Sequence, residues 1–310
     1  MAKAFRAYED QLAHLKAKGL AVPNEDAAKD ALRDIGYFAL VNGYKDLLRD
    51  PMTRTYRPGS SFDDVVAIFE FDDALRNLLL NSLAAVERKL RSTVSYAFCE
   101  RHGEAQAAYL NTTSYNPADR HAPKVARLVG ILDKLANRSM DQGYLVHYRK
   151  CHGNVPLWVL VNAVTFGQMS TMFSLMLPGD RAAVAKQFEH VNERELEQIL
   201  KVLVLYRNVC AHGERLLSYR TNVALPDLPL LGKMGVPKRG TQYSMGKRDL
   251  FGVVVALRHL MPPAKFRAFK QRLGSLVERF LHDNESVGRK ELFAHMGFPE
   301  NWKDVTRYRL

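Results

Sequence analysis

The sequence contains little cysteine and no long apolar run. Its three cysteines, Cys99, Cys151 and Cys210, are widely spaced and lie outside any CxxC pair, which argues against a disulfide framework and a cysteine-rich zinc site. No stretch approaches the roughly 20 apolar residues of a membrane span. The first residues lack the apolar block and small-residue cleavage site of a secretory signal. We therefore expect a soluble, cytoplasmic protein with reduced thiols.

Alternating apolar and polar runs are also scarce, and the chain has no internal repeat. Apolar residues instead recur three or four positions apart, which is the period of an amphipathic α-helix. The longest such pattern covers residues 61–102 without a proline and predicts a long central helix. We therefore predict an all-α fold, a helical bundle with a long central helix and additional C-terminal helices.

Shorter patterns predict the other helices. They cover residues 4–18, 24–36, 124–138, 142–150, 158–176, 192–213, 247–260, 263–282 and 289–295. Asn192 followed by Glu195 forms a capping-box pattern that opens the helix ending near Gly213. Residues 226–244 are rich in proline and glycine and predict a mobile basic loop. We divide the chain into an N-terminal helical segment (1–60), a helical core (61–222) and a basic loop with a C-terminal helical extension (223–310), packed as one compact unit.

The positive charge of the chain is concentrated in its last third. The formal net charge is +12, and residues 215–310 hold 18 Lys/Arg against 8 Asp/Glu. This asymmetry favours a surface for a polyanion such as nucleic acid. The alternative is that the charge serves solubility alone. A membrane-surface role fits less well, because the basic positions are scattered rather than gathered beside one apolar face.

Arg207, Asn208 and His212 form the most informative motif, at the end of the helix predicted to open at Asn192. At 100° per residue, Arg207 lies near the apolar stripe, where a carboxylate or a bound phosphate should meet its charge. Asn208 and His212 are four residues apart on a neighbouring face. Arg207 and His212 are about 140° apart, so they converge only if the helix unwinds at residues 211–213 or if a second copy faces the first.

These three groups are suited to RNA cleavage without a metal. RNA supplies its own nucleophile, the 2′-hydroxyl, which needs a base to remove its proton and a cation to stabilise the charged phosphorane. His212 and Arg207 fit those roles, and Asn208 could orient the imidazole or hold a phosphate oxygen. The alternative is an ordinary helix end with a histidine near the last carbonyls.

Four blocks of the sequence resemble the Abi-like abortive-infection proteins of the AbiD/AbiF group, within the HEPN superfamily of helical ribonucleases. They occur in order as IGYFALVNGYKDLL (35–48), YRPGSSFDDVVAIFEFDDALRNLLLNSLAAVERKLR (56–91), VPLWVLVNAVTFGQMS (155–170) and LYRNVCAHGERLL (205–217). The last block contains the HEPN pattern of an arginine, a polar residue, three variable residues and a histidine. Residues 225–310 match no motif.

The resemblance implies a HEPN-like helical bundle and a homodimer in which two motifs form a joint cleft. It also implies endoribonuclease activity that gives a 2′,3′-cyclic phosphate and serves phage defence, through abortive infection or a toxin–antitoxin pair. Some similar proteins are linked to a small structured RNA. Such a bound RNA is therefore an expected partner of this chain, and no membrane partner, cofactor or metal is expected.

Two residues of the central helix are predicted to support the motif. Glu87 and Arg91 are four residues apart and could form an ordinary surface ion pair. In the functional interpretation, Glu87 lies beside the apolar stripe and pairs with Arg207 to orient it.

Nine further residues are predicted to bind RNA because they are basic or aromatic. They are Tyr44, Lys45, Arg215, Arg220, Lys233, Lys238, Arg239, Lys247 and Arg248. A tyrosine near leucines is often a core residue, and solvated basic helix ends and loops would explain the cations equally well. The rival function is a non-catalytic RNA-binding protein of the same fold, and a more distant one is a helical scaffold that binds DNA.

Overall fold

The structure is a computed structural model, and it describes residues 5–310. The fold is all-α, as predicted. The helices are α1 (Tyr8–Lys16), α2 (Glu25–Ile35), α3 (Tyr37–Tyr44), α4 (Phe62–His102), α5 (Gln106–Leu110), α6 (Ala122–Asp133), α7 (Gly143–His152), α8 (Leu157–Leu160), α9 (Phe166–Leu175), α10 (Pro178–Ala185), α11 (Glu193–Ala211), α12 (Pro229–Lys233), α13 (Leu250–Leu260), α14 (Pro263–Asp283) and α15 (Arg289–Met296). The strands β1 (Lys238–Arg239) and β2 (Gln242–Tyr243) form one short antiparallel hairpin.

Helix α4 is the long central helix that the apolar pattern predicts. It begins with a capping box, in which the Ser61 side chain accepts a hydrogen bond from the Asp64 amide and the Asp64 carboxylate accepts one from the Ser61 amide. It ends at Gly103, whose φ of +84° a glycine adopts readily. One stripe of its apolar side chains is buried along the whole length. The helix is therefore stabilised by packing as well as by its caps.

The other helices pack around α4. Helices α3, α8, α9, α10, α11 and α14 all contact it, and α11 also contacts α9 and α13. The extension after residue 223 joins the same core, because Phe71 of α4 stacks on Phe280 of α14 with ring centroids 4.3 Å apart. Ser286 adds a hydrogen bond of 2.7 Å to Asp64 at the start of α4.

Helix α11 has the predicted capping box and the predicted end. The Asn192 side chain accepts hydrogen bonds from the amides of Arg194 and Glu195, each 3.0 Å long. The helix ends at Ala211, and Gly213 follows with a φ of +66°. The amide of Glu214 then donates to a carbonyl in the last turn of the helix. This closed helix end fixes the backbone that carries the motif.

Two helix predictions are wrong in detail. The helix predicted over residues 158–176 is two helices, α8 and α9, because Thr165 starts a new helix with a Thr-x-x-Gln capping box that includes Gln168. The helix predicted over residues 124–138 changes to π-helical hydrogen bonding at Lys134–Arg138. Helices α5 and α10 were not predicted. The predicted start of the first helix, residue 4, lies outside the described residues.

Residues 226–244 also differ from the predicted loop. They contain α12 and the hairpin of β1 and β2. Leu230 and Leu231 of α12 are buried, so this segment packs on the core instead of extending into solvent. None of the helices within residues 5–310 is both long and apolar enough to cross a membrane.

Candidate functional site at the end of α11

Arg207 projects from α11 towards α4, where a buried carboxylate meets it. Its Nε lies 3.8 Å from Oε2 of Glu87, and 32% of its side chain remains exposed. Glu87 is only 5% exposed and also accepts a 2.6 Å hydrogen bond from Arg91. The same Arg91 nitrogen donates to the Val164 carbonyl. Glu87 and Arg91 are therefore not an ordinary solvated surface pair, since the carboxylate is buried between two guanidinium groups.

Asn208 and His212 lie on the solvent-exposed side of the helix end. The His212 amide donates to the Asn208 carbonyl over 2.9 Å, so helical hydrogen bonding continues as far as His212. Within residues 5–310, neither side chain has a hydrogen-bond partner. Because the helix does not unwind before His212, Arg207 and His212 stay about 140° apart. Their convergence through a second copy of the chain stays a prediction.

Asp72 fixes the chain that follows the motif. This fully buried residue of α4 accepts hydrogen bonds from the amides of Leu216 (3.0 Å) and Leu217 (2.7 Å). It also accepts from the Tyr44 hydroxyl at 2.7 Å and from Arg76 at 2.6 Å. Burial raises the pKa of Asp72, while these donors act in the opposite direction. The turn after His212 is thus tied to α4 by one carboxylate.

The sequence contained a signal for this anchor that the sequence analysis did not use. Asp72 occupies a position on the apolar stripe of α4, and an acidic residue at a core position must have partners. Arg76 completes the anchor, because it also donates to the Glu214 carbonyl over 3.3 Å.

Cys210 lies within the motif but is a core residue. It is 7% exposed, and burial raises the pKa of its thiol to about 12. The thiol therefore stays protonated at neutral pH and is not a nucleophile. In the described part of the chain, no group of three or more His, Cys, Asp or Glu side chains is placed to hold a metal ion.

An open groove borders α11 ahead of the motif, and none of Arg207, Asn208 and His212 lines it. At 100° per residue, Lys201 and Leu205 fall on the same face as Asn208 and His212. Lys201 and Leu205 line a groove of about 740 Å³, with Lys124 and Arg127 of α6 also in its wall. The lining contains no acidic residue from the described chain, although Lys201, which is exposed, pairs with Glu197 over 2.7 Å beside the groove. Sequence reasoning missed these three cations, although counting back from Asn208 along the helix would have found Lys201.

Two of the residues predicted to bind RNA are not available to do so. Tyr44 is 4% exposed, and its hydroxyl donates to Asp72, so its ring cannot stack on a base. Lys247 is 8% exposed, and its ammonium group is paired with Asp227. Both side chains are buried for the same physical reason, since each is bound to a carboxylate at least 20 residues away in the sequence.

Several of the other predicted cations contact backbone carbonyl groups. Arg220 donates to the carbonyls of Ala294 and His295 at the end of α15. Lys233 donates to the Arg309 carbonyl over 2.6 Å. The Arg220 contacts tie the C-terminal extension to the core, as does the hydrogen bond from Arg248 to the carbonyl of residue 222, whereas the Lys233 contact lies within the extension.

Four predicted cations lie in places where they could still meet RNA. Arg215 is exposed, donates to the Asn42 carbonyl over 3.3 Å and stacks over the Phe38 ring. Lys45 bonds the side-chain oxygen of Asn42. Lys238 and Arg239 are exposed on the hairpin, away from the end of α11 in sequence. Arg215 and Lys45 therefore both lie beside Asn42.

Comparison with known proteins gives one match. A family model described as Abi-like protein matches residues 30–218, which include α3, α4, the groove helices and the whole motif. No curated protein and no solved structure matches the chain. The family match ends one residue after Leu217, whose amide Asp72 binds, so the extension lies outside it.

Proposed function

This chain belongs to the Abi-like protein family, and we propose that it is a metal-independent endoribonuclease of the HEPN type that acts in phage defence. The family suggests a role in abortive infection. The observation that carries the proposal is the end of α11: Arg207 is backed by a buried carboxylate, while Asn208 and His212 face solvent on a backbone that Asp72 holds in place.

The chemistry follows from these groups. His212 removes the proton of a 2′-hydroxyl, the 2′-oxygen attacks the adjacent phosphorus, and the bond from phosphorus to the 5′-oxygen breaks. Arg207 stabilises the negative charge of the phosphorane, and Asn208 holds a phosphate oxygen. The leaving 5′-oxygen takes a proton from a second acid. The products are a 2′,3′-cyclic phosphate and a 5′-hydroxyl.

A second copy of the chain supplies that acid and completes the site. Since Arg207 and His212 do not converge within one regular helix, two α11 ends must face each other across a two-fold axis. One His212 then acts as base and the other as acid. The proposed enzyme is therefore a homodimer, and sedimentation of the purified protein tests this directly.

The groove along α11 supports an RNA substrate. Lys124, Arg127 and Lys201 can contact successive phosphates and lead the strand towards Asn208 and His212. Lys238 and Arg239 on the hairpin, together with the basic C-terminal third, offer a separate surface for a small structured RNA that restrains or guides the enzyme. Sequencing RNA that copurifies with the protein tests that partner.

The test of catalysis compares the purified protein with His212→Ala and Arg207→Ala on labelled RNA. We expect each variant to lose at least about 100-fold in rate, the usual contribution of general acid–base catalysis. His282→Ala is the matched control, because His282 is 89% exposed on α14 and pairs with its neighbour Asp283. Equal rates for His212→Ala and the unmodified protein, or products that end in a 3′-hydroxyl, would contradict the proposal.

A non-catalytic RNA-binding protein of the same fold is the second candidate. Arg207 and His212 point in different directions within one chain. If the protein is a monomer, this geometry favours the non-catalytic function. The same RNA series distinguishes the two functions, because this alternative expects binding without cleavage. Expression in cells adds a second readout, since an active nuclease is toxic only while His212 and Arg207 are intact.

A further inference from the structure

A cavity of about 530 Å³ lies between α1, α3 and the segment that follows α3. None of the motif residues lines it. Its walls are formed by Arg6, Gln11, His14, Leu15, Lys18, Tyr37, Val41, Asn42, Lys45, Arg49 and Tyr56. The volume is in the range that holds a small organic ligand.

The cavity is strongly electropositive. Four of its lining side chains are lysines or arginines, and none of the described residues that line it is acidic. Burial, followed by the charges of Lys18, Arg6 and Arg49, lowers the pKa of His14. The carboxylates of Asp46 and Asp50 lie in an adjoining depression, which shares Lys45 and Arg49. Grouping cations around one cavity costs electrostatic repulsion, which a bound anion would remove.

Two polar atoms of the cavity residues are buried without a partner in the described chain. The Nε of Arg49 has no acceptor, although its guanidinium stacks over the Tyr56 ring at 5.1 Å. The Oε1 of Gln11 has no donor, while its Nε2 donates to the Arg6 carbonyl over 2.8 Å. Unsatisfied buried groups are rare in folded proteins. A ligand that satisfies both must offer an anionic acceptor and a neutral donor.

The rest of the wall is apolar or aromatic. Leu15 and Val41 contribute aliphatic surface, and the half-buried Tyr37 contributes a ring. Inorganic phosphate alone would leave this surface and the Gln11 oxygen unused. A ligand that carries a phosphate, a hydroxyl or amino donor and a planar ring would contact the cations, the Gln11 oxygen and the apolar wall.

We propose that this cavity binds a nucleotide, either free or at the 5′-phosphorylated end of an RNA chain. The phosphate accepts hydrogen bonds from Arg49, and Arg6 and Lys45 contribute charge. Gln11 accepts a hydrogen bond from a ribose hydroxyl or a base amino group, and Tyr37 contacts the base. The site does not depend on the proposed nuclease activity.

Calorimetry on the full-length protein tests the site with AMP, ADP, ATP and inorganic phosphate. Short 2′-O-methyl oligonucleotides with either a 5′-phosphate or a 5′-hydroxyl test the RNA source, because they cannot be cleaved through a 2′-hydroxyl. We expect a nucleotide or the 5′-phosphorylated oligonucleotide to bind more tightly than inorganic phosphate. Preference for the free nucleotide or for the phosphorylated oligonucleotide identifies the source.

Variants locate the binding. Arg49→Gln and the exposed Arg6→Gln should each weaken nucleotide binding by about tenfold or more, the usual effect of losing a hydrogen bond to a charged group. Gln11→Leu should weaken binding of the nucleotide but not that of phosphate. Arg33→Gln, the same charge change on the exposed face of α2, is the control. The proposal is overturned if no probe binds, if phosphate binds as tightly as every nucleotide, or if Arg33→Gln weakens binding as much as Arg49→Gln.

Discussion

The Glu87 carboxylate lies 3.8 Å from Nε of Arg207, which joins α4 to α11 at the motif. Glu87→Gln keeps the shape of the side chain but removes its charge. We expect the rate of RNA cleavage to fall by about 10- to 100-fold, because a catalytic cation displaced by about 1 Å loses that much. The measurement is the single-turnover cleavage rate of the purified variant.

Arg91 provides the control for this variant. It binds the other oxygen of Glu87 and the Val164 carbonyl, so Arg91→Lys disturbs the same carboxylate from the side away from Arg207. Its rate should fall less than that of Glu87→Gln. Unchanged cleavage by Glu87→Gln would show that this carboxylate does not position Arg207.

Asp72→Asn should destabilise the whole fold. The variant leaves the buried Arg76 without its closest anion and weakens the hydrogen bonds to the turn after His212, at a cost of about 3 kcal/mol. Urea denaturation measures the change. Asp73→Asn is the matched control, since Asp73 pairs with the same arginine but is 54% exposed, and its loss should cost less than about 1 kcal/mol. Equal losses for both variants would contradict an anchoring role for Asp72.

The groove along α11 can be tested by the salt dependence of RNA binding. Replacing Lys124, Arg127 and Lys201 together with glutamine should reduce the slope of log affinity against log salt by about 2 for single-stranded RNA, if each cation contacts one phosphate. Fluorescence anisotropy at several salt concentrations measures the slope. The control removes the same charge from the exposed positions Lys265, Arg267 and Arg272 of α14. A slope that changes equally in both variants would assign RNA binding to net charge rather than to the groove.

Gly213→Ala should lower the stability of the fold by about 1 kcal/mol. The residue has a φ of +66°, which alanine adopts only at a steric cost. Gly130→Ala gives the opposite control: Gly130 lies inside α6, has open space around its Cα, and should gain up to about 1 kcal/mol from the higher helix propensity of alanine. The urea concentrations at the unfolding midpoints of Gly213→Ala and Gly130→Ala measure these changes. A loss of stability for both would show that the left-handed backbone is not the cause.

Glu278 should make the stability of the extension depend on pH. Hydrogen bonds from Arg289 and Lys303 lower the pKa of Glu278 to about 2. Its charge therefore stabilises the folded state above the unfolded pKa of about 4.3, and the contribution is lost as the pH falls towards 2. Because the Glu278 side chain is 38% exposed, Glu278→Gln should cost at most about 1 kcal/mol at pH 7. Between pH 7 and pH 3, the difference in the free energy of unfolding between the unmodified protein and Glu278→Gln should shrink to about half or less. A difference that stays constant with pH would show that packing rather than charge causes it.

Local patterns in the sequence predicted the elements that carry the site. The predicted capping box of α11 needs only a side chain and the backbone three residues away, so it is readable from the sequence. The same rule applied to Thr165 and Gln168 would have separated α8 from α9. The helical period likewise placed Arg207 towards a carboxylate, and the structure has Glu87 there.

Long-range partners explain what the sequence did not predict. Tyr44 and Lys247 look like surface residues until their partners Asp72 and Asp227 are known. Those partners depend on how distant helices and loops pack, which periodicity does not encode. The hairpin of β1 and β2 was missed for a related reason, because its strands are two residues long and leave no alternating pattern.

Because α4 is unbroken, the number of residues between Asp72 and Glu87 fixes their relative positions. Asp72 and Glu87 lie about 22 Å apart along the axis of α4, at 1.5 Å per residue. Asp72 binds the chain after the His212 turn, and Glu87 contacts Arg207 before it. A single residue inserted between them would rotate Glu87 by about 100° relative to Asp72. Only one of the two carboxylates could then keep its partner on α11 or the turn after it. The number of residues between them in α4 is therefore fixed by the two contacts that α4 makes on either side of the His212 turn.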